Sequence, residues 1–153
     1  MRQLTFEKDF WSSSYQIKNE EQVVVKTNKE SIFSHDTTVK VENNEFFFDV
    51  KGFLSDTANI YTNNNLIGTV EMETWGSDAV INLKDEGTFK AIHNGVFTNE
   101  WRIIRDSEVL IHFKKDWFSS GGTIDIFQEN ESLLATGIFL VSIRQQKQAA
   151  TGA

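Results

Sequence analysis

The sequence predicts a mainly β protein: a single closed β-barrel of about 10–12 strands, with a C-terminal hydrophobic helix threaded through its centre or packed against it. Three observations predict this. Short runs rich in β-branched and aromatic residues recur about every 8–12 residues, with turn clusters between them. Proline is absent from all 153 residues, although about 5% is usual, and proline cannot donate to a strand ladder. One late segment is apolar around its whole circumference, which suits a helix buried on every side.

The strands are expected over about residues 4–127. Two fall near residues 4–10 and 14–17, and Val23-Val24-Val25 marks a third. Thr38 to Glu42 alternates with period two, and Phe46 to Lys51 does so less cleanly. Residues 58–61 and 66–72 flank Asn63-Asn64-Asn65, a strong turn cluster. Residues 79–83 and 88–93 flank Lys84-Asp85-Glu86-Gly87, residues 101–105 and 109–114 flank Asp106-Ser107-Glu108, and residues 123–127 close the series. The stretch from Ile60 to Leu83 lies over that from Ile103 to Ile126 without a gap. Apolar residues then coincide at eight pairs, among them Ile60/Ile103, Val70/Phe113 and Ile81/Ile124. This reads as a repeated meander.

The helix is expected over about residues 131–147. Asn130-Glu131-Ser132 offers a cap and a first-turn acid, and Arg144 and Lys147 place cations near the end that favours them. Between them, Leu133 to Ile143 is interrupted only by the small residues Thr136, Gly137 and Ser142. Burying Leu, Ile, Val and Phe contributes about 1.5–3 kcal/mol each, so leaving half of this surface wet would cost several kcal/mol. An apolar run of 11 residues reaches only about 16 Å as a helix, against a hydrocarbon core of about 30 Å.

Composition narrows the function classes. The length is that of one domain spanning residues 1–153. With no cysteine, disulfides, thiolate metal sites and cysteine nucleophiles are excluded. Fifteen Lys and Arg against 22 Asp and Glu give a net charge of −7. That charge argues against nucleic acid and against general attraction to anionic membranes. The N-terminal segment has no continuous apolar core of the secretory kind. A cytoplasmic protein, at most peripheral to a membrane, and a monomer or weak oligomer is the expectation.

Phe48-Asp49-Val50-Lys51-Gly52, followed by the stretch Ala58 to Val70, carries a resemblance. These residues are similar to the F-x-V-x-G, I-Y strand, short turn and I-G-x-I strand of the tubby C-terminal-like superfamily. That superfamily includes the LURP-one-related proteins, the phospholipid scramblases and many bacterial proteins. The resemblance runs from about Val39 to Ile143, and the terminal helix resembles the family's central one. Where the family often has a turn glycine, this chain has Asn64 or Asn65, and asparagine tolerates positive φ. The resemblance implies a barrel around a helix and no shared catalytic residues.

Few residues suggest chemistry. His35, His93 and His112 are far apart and form no HxxxH or HxH pair, so a structural or solvated role is the expectation for each. Asp85 with Glu86, and Glu129 with Glu131, read as solvated turns. Ser12-Ser13-Ser14 and Ser119-Ser120 lack a GxSxG elbow, and Gly121-Gly122 alone makes no phosphate loop. No catalytic residue, cofactor or metal is expected. The sharpest local feature is Lys114 and Lys115 ahead of Trp117 and Phe118 in a loop, a candidate contact for a lipid headgroup or a protein partner. The competing reading has one aromatic capping the end of the sheet and the lysines solvated. The expected function is a non-catalytic binding or scaffolding module, with a protein or phospholipid partner. The alternative is a lipocalin-like or fatty-acid-binding-like carrier, whose helix would lie outside an empty interior.

Overall fold

The computed structural model describes residues 2–8, 15–19, 22–29, 36–50, 57–72, 78–93, 100–115 and 122–150. Twelve strands precede one helix. They are β1 (Arg2–Lys8), β2 (Tyr15–Asn19), β3 (Gln22–Lys29), β4 (Thr37–Val41), β5 (Asn44–Val50) and β6 (Thr57–Thr62). Then follow β7 (Asn65–Met72), β8 (Ala79–Leu83), β9 (Gly87–His93), β10 (Glu100–Arg105), β11 (Glu108–Lys115) and β12 (Gly122–Ile126), and last α1 (Glu131–Ala150). Every pairing is antiparallel and joins neighbours in the chain, except that β12 pairs with β1.

The single closed barrel expected from the sequence needs correction. The strands whose described side chains build the core are β4 through β12 followed by β1. They form one sheet of ten antiparallel strands that does not close on itself, since β1 and β4 do not pair with each other. Backbone pairing runs on from β1 to β2, β2 to β3 and β3 to β4, so the strand order returns to its start. No side chain of β2 or β3 is among those described. In sequence these two strands differ from those that build the core. β2 is Tyr-Gln-Ile-Lys-Asn, and β3 passes from three successive valines to Lys-Thr-Asn-Lys. Neither shows the strict alternation by which β4, β8 and β12 declare a core-facing side.

In those three strands alternate residues are buried, and the buried set forms one contiguous core: Val39 and Val41, then Ala79, Ile81 and Leu83, then Ile124 and Ile126. The helix completes that core. Leu133 to Leu140 are eight consecutive buried residues, more than two full turns without a wet side, and Ile143 is buried beyond them. The backbone of α1 runs closest to β4, with further approaches to β5 and β10. Phe139 stacks on Phe48 of β5 with centroids 4.5 Å apart and planes 3° from parallel. At Gly137 an added Cβ would collide with the Phe113 ring of β11, so only glycine lets the helix approach this closely. Thr136, fully buried, gives its hydroxyl proton to the Ser132 carbonyl at 2.7 Å, which satisfies the helix's buried hydroxyl.

The repeat seen in the sequence is larger than the two stretches that revealed it. From unit to unit β2, β6 and β10 share a register shift, at Ile17/Lys18, Ile60/Tyr61 and Ile103/Ile104, an offset of 43 residues each time. The turns after β6 and β10 take positive φ at Asn63 and Asn64, and again at Asp106 and Ser107. Lys84 N donates to Ile67 O at 2.9 Å, and Phe127 N donates to Leu110 O at 2.9 Å, again 43 residues on. Asp36 accepts from Val50 N and Asp78 from His93 N. The chain is therefore three four-strand units, β1–β4, β5–β8 and β9–β12. Where a fourth unit would begin, near residue 130, it turns inward as α1.

Candidate functional site

Polar groups gather at three places on the described surface. The first is the end of the sheet where the chain enters the helix. Asn130 caps α1, its Oδ1 accepting from Leu133 N at 3.0 Å, while its Nδ2 donates to Glu86 Oε1 at 2.7 Å. Asn44 Nδ2 donates to Glu131 Oε2 at 2.6 Å, and Arg2 grips Glu129 with two hydrogen bonds of 2.7 and 2.8 Å. Arg105 donates to the Glu86 carbonyl and lies 4.0 Å from the Phe89 ring centroid. A cleft of about 360 Å³ opens here beside Val41 and Leu134. Glu86, Glu129 and Glu131 each accept a hydrogen bond from a neighbour here, and Glu86 and Glu129 stay exposed, so the acidic turns are solvated while they tie the helix entry to the sheet.

The second place is a charged row across the outer face. Register sets Arg102 opposite His112, His112 opposite Asp125, and Asp125 opposite Gln3. His112 Nε2 stands 3.6 Å from Glu100 Oε2 and its Nδ1 3.9 Å from Asp125 Oδ2. These are ion-pair distances, too long for hydrogen bonds, and the buried Nε2 has no hydrogen-bond partner. Arg102 approaches Glu100 at 3.8 Å, and Gln3 donates to Asp125 at 2.8 Å. A histidine between carboxylates can relay protons, but here both carboxylates also answer Arg102 and Gln3, which makes the row a cross-strand brace.

The third place is a groove of about 540 Å³ on the outer face of β4–β6. Buried Phe46 and Phe48 point inward from β5, so Glu45, Phe47 and Asp49 stand outward between and beside them. Register puts Phe47 opposite Tyr61, and the two rings lie 6.4 Å apart at 39°. Asn63 and Asn64, held in left-handed turn geometry, line one end. Half-buried aromatics flanked by two carboxylates make a surface suited to recognition rather than to bond-making.

Of the four residues singled out in the sequence, the structure describes the side chain of Lys114 alone. Lys114 is exposed near the end of β11, opposite Glu100 and Thr123 in register. The backbone of Lys115 closes the strand, paired with Gly122, while its side chain, Trp117, Phe118 and the Gly121 of the following pair lie outside the described residues. So do His35 and the serine runs. His93 is described, and its ring lies 4.9 Å from that of Trp101, tilted by 53°. Among the described residues no three His, Cys, Asp or Glu side chains are placed to hold a metal ion, and no helix is long and apolar enough to cross a membrane. Sequence reasoning did not single out the groove, because Glu45, Phe47 and Asp49 meet Tyr61 only once β5 and β6 are paired. The alternation in Glu45-Phe46-Phe47-Phe48-Asp49 was its available signal.

Compared with models of protein families and with curated proteins, the chain finds no match.

Proposed function

We propose that this protein is a non-catalytic binding module that engages a partner on its outer surface and holds no ligand inside. The observation that carries this reading is the filled interior. Eight consecutive helix residues are buried, Phe139 stacks on Phe48, and Gly137 leaves no room for even one more carbon against Phe113. A carrier needs an apolar cavity of several hundred Å³, whereas the described inner face of the sheet packs against α1. Both described clefts open outward instead.

A protein partner is put ahead of a phospholipid. Lys114 could meet a headgroup, but Glu100 faces it across the ladder, and the chain carries a net −7. Each lysine near an anionic surface contributes only about 1 kcal/mol, so two of them bind a membrane weakly at best. The proposed kinship with tubby-like proteins plays no part in this reading, which rests on the packed helix alone.

Native mass spectrometry of protein purified without detergent tests the proposal. The expected result is the mass of the bare chain, and no binding of a fatty-acid probe. A stoichiometric apolar adduct would turn the reading to the carrier.

A further inference from the structure

We infer that the groove on the outer face of β4–β6 binds an uncharged saccharide chain, with a sugar ring lying against Phe47 and Tyr61 and hydroxyls reaching toward Glu45, Asn63 and Asn64. The inference rests on the reading of an outer-surface binding module and names the chemistry its partner presents, a neutral glycan.

Five side chains carry it. Phe47 and Tyr61 face each other across the β5–β6 ladder, half-buried, with centroids 6.4 Å apart and planes inclined 39°. Glu45 stands two positions before Phe47 on the same face, about 7 Å along the strand. Asn63 and Asn64 follow Thr62, whose hydroxyl donates to the Glu45 carbonyl at 2.9 Å, so acid and amides meet at one end of the aromatic pair. Among the described residues, the side chains of Glu45, Tyr61, Asn63 and Asn64 make no hydrogen bond or ion pair, whereas Thr38 and Asp49, which also line the groove, already have partners. The open groups are thus a carboxylate that accepts, and a phenol and two amides that both donate and accept. A pyranose matches that set. Its C–H face packs on the electron-rich face of an aromatic ring, and its hydroxyls both donate and accept.

Other ligands fit the groove less well. β5 is paired with β4 and β6, and β6 with β7, so no strand edge is open here for an extended peptide to join. An uncharged chain makes no demand on the charges around the groove, which a cation or a phosphate would. The volume of about 540 Å³ leaves room for more than a single sugar ring. The internal repeat supplies an independent argument. Packing positions recur 43 residues on: buried Phe46 corresponds to buried Phe89, and Ile60 to Ile103. The groove does not recur, since Glu45 corresponds to Thr88, Phe47 to Lys90 and Tyr61 to Ile104. The third unit builds the same strands without the aromatic pair, which leaves the pair to a role other than folding.

The test uses the whole chain labelled with ¹⁵N and four neutral tetrasaccharides as probes: maltotetraose, cellotetraose, xylotetraose and tetra-N-acetylchitotetraose. At least one is expected to shift the amides of Phe47, Tyr61, Asn63 and Asn64 most, and to bind equally at low and high salt. Phe47→Lys/Tyr61→Ile, which installs the third unit's residues at these positions, should weaken that binding by about tenfold or more. Asn64→Gly, which keeps the left-handed turn, should weaken it several-fold, and Lys90→Ala in the third unit should leave it unchanged. Amide dispersion confirms that each variant is folded. No shift with any of the four probes at millimolar concentration, shifts centred away from the groove, or an unchanged affinity in the aromatic double variant would overturn the inference. So would a blocked tetraproline peptide shifting these amides where no saccharide does. Failure of the outer-surface reading itself looks different, because a fatty-acid probe would then shift residues 133–143 of the helix.

Discussion

Phe139 and Gly137 show how narrowly single residues set the interior. Phe139 is fully buried and stacked on Phe48. Replacing it with alanine removes a large ring from a site that cannot collapse freely, and should cost about 3–5 kcal/mol in urea unfolding. A loss below about 1 kcal/mol would mean that the ring has water beside it. Gly137→Ala sets two effects against each other. Alanine is better than glycine in a helix by about 1 kcal/mol. The new methyl, however, meets the Phe113 ring and forces a shift of helix or strand, at a typical cost of about 1–3 kcal/mol. The collision should win, and a lower denaturation midpoint is expected; a raised one would mean the helix stands off from β11. The Arg2–Glu129 pair is the contrasting case. Its geometry is bidentate, but Glu129 is 62% exposed, so a double-mutant cycle should return only about 0.2–1 kcal/mol.

At the scale of elements, turns and helix have separate causes. Asn63 and Asn64 sit at φ of 51° and 64°, where a β-branched residue is strained and glycine is not. Asn64→Val should therefore destabilise by about 1–2 kcal/mol, whereas Asn64→Gly should change stability by a few tenths, both read from thermal unfolding. These turns were legible in the sequence because turn chemistry is local. The helix was legible for a different reason: its apolar residues cover every side, and burial all round followed. The first repeat unit was not legible. Unit one keeps the strand lengths and the register shift at Ile17/Lys18, but replaces the apolar alternation of its counterparts with polar and unalternating residues. Register is a property of backbone pairing, and composition alone does not reveal it. The expectation of a closed barrel also needed correction, since β1 and β4, the ends of the ten-strand sheet, do not pair with each other.

At the scale of the whole molecule, charge and packing divide the work between inside and outside. Among the described residues, the inner face of the sheet and the helix are apolar and pack into one core. The outer face carries whatever distinguishes one unit from another. In β5 and β6 that is the acid–aromatic groove; in β10 to β12 it is the His112 brace. The candidate site was the least legible part of the protein. Lys114 was visible as a charge but not as the partner of Glu100 across a ladder, and the groove is assembled from strands that only folding brings together.

The central claim, that the interior is occupied by the helix, meets its most direct test in native-state hydrogen exchange. If α1 is enclosed by the sheet, the amides of Leu134 to Leu140 exchange only when the whole molecule opens. They should then be the slowest in the protein, with a free energy of exchange equal to that of global unfolding in urea. Rapid exchange across that segment, while the amides of β8 to β12 stay protected, would mean that the helix docks and undocks at a surface, and would contradict the claim.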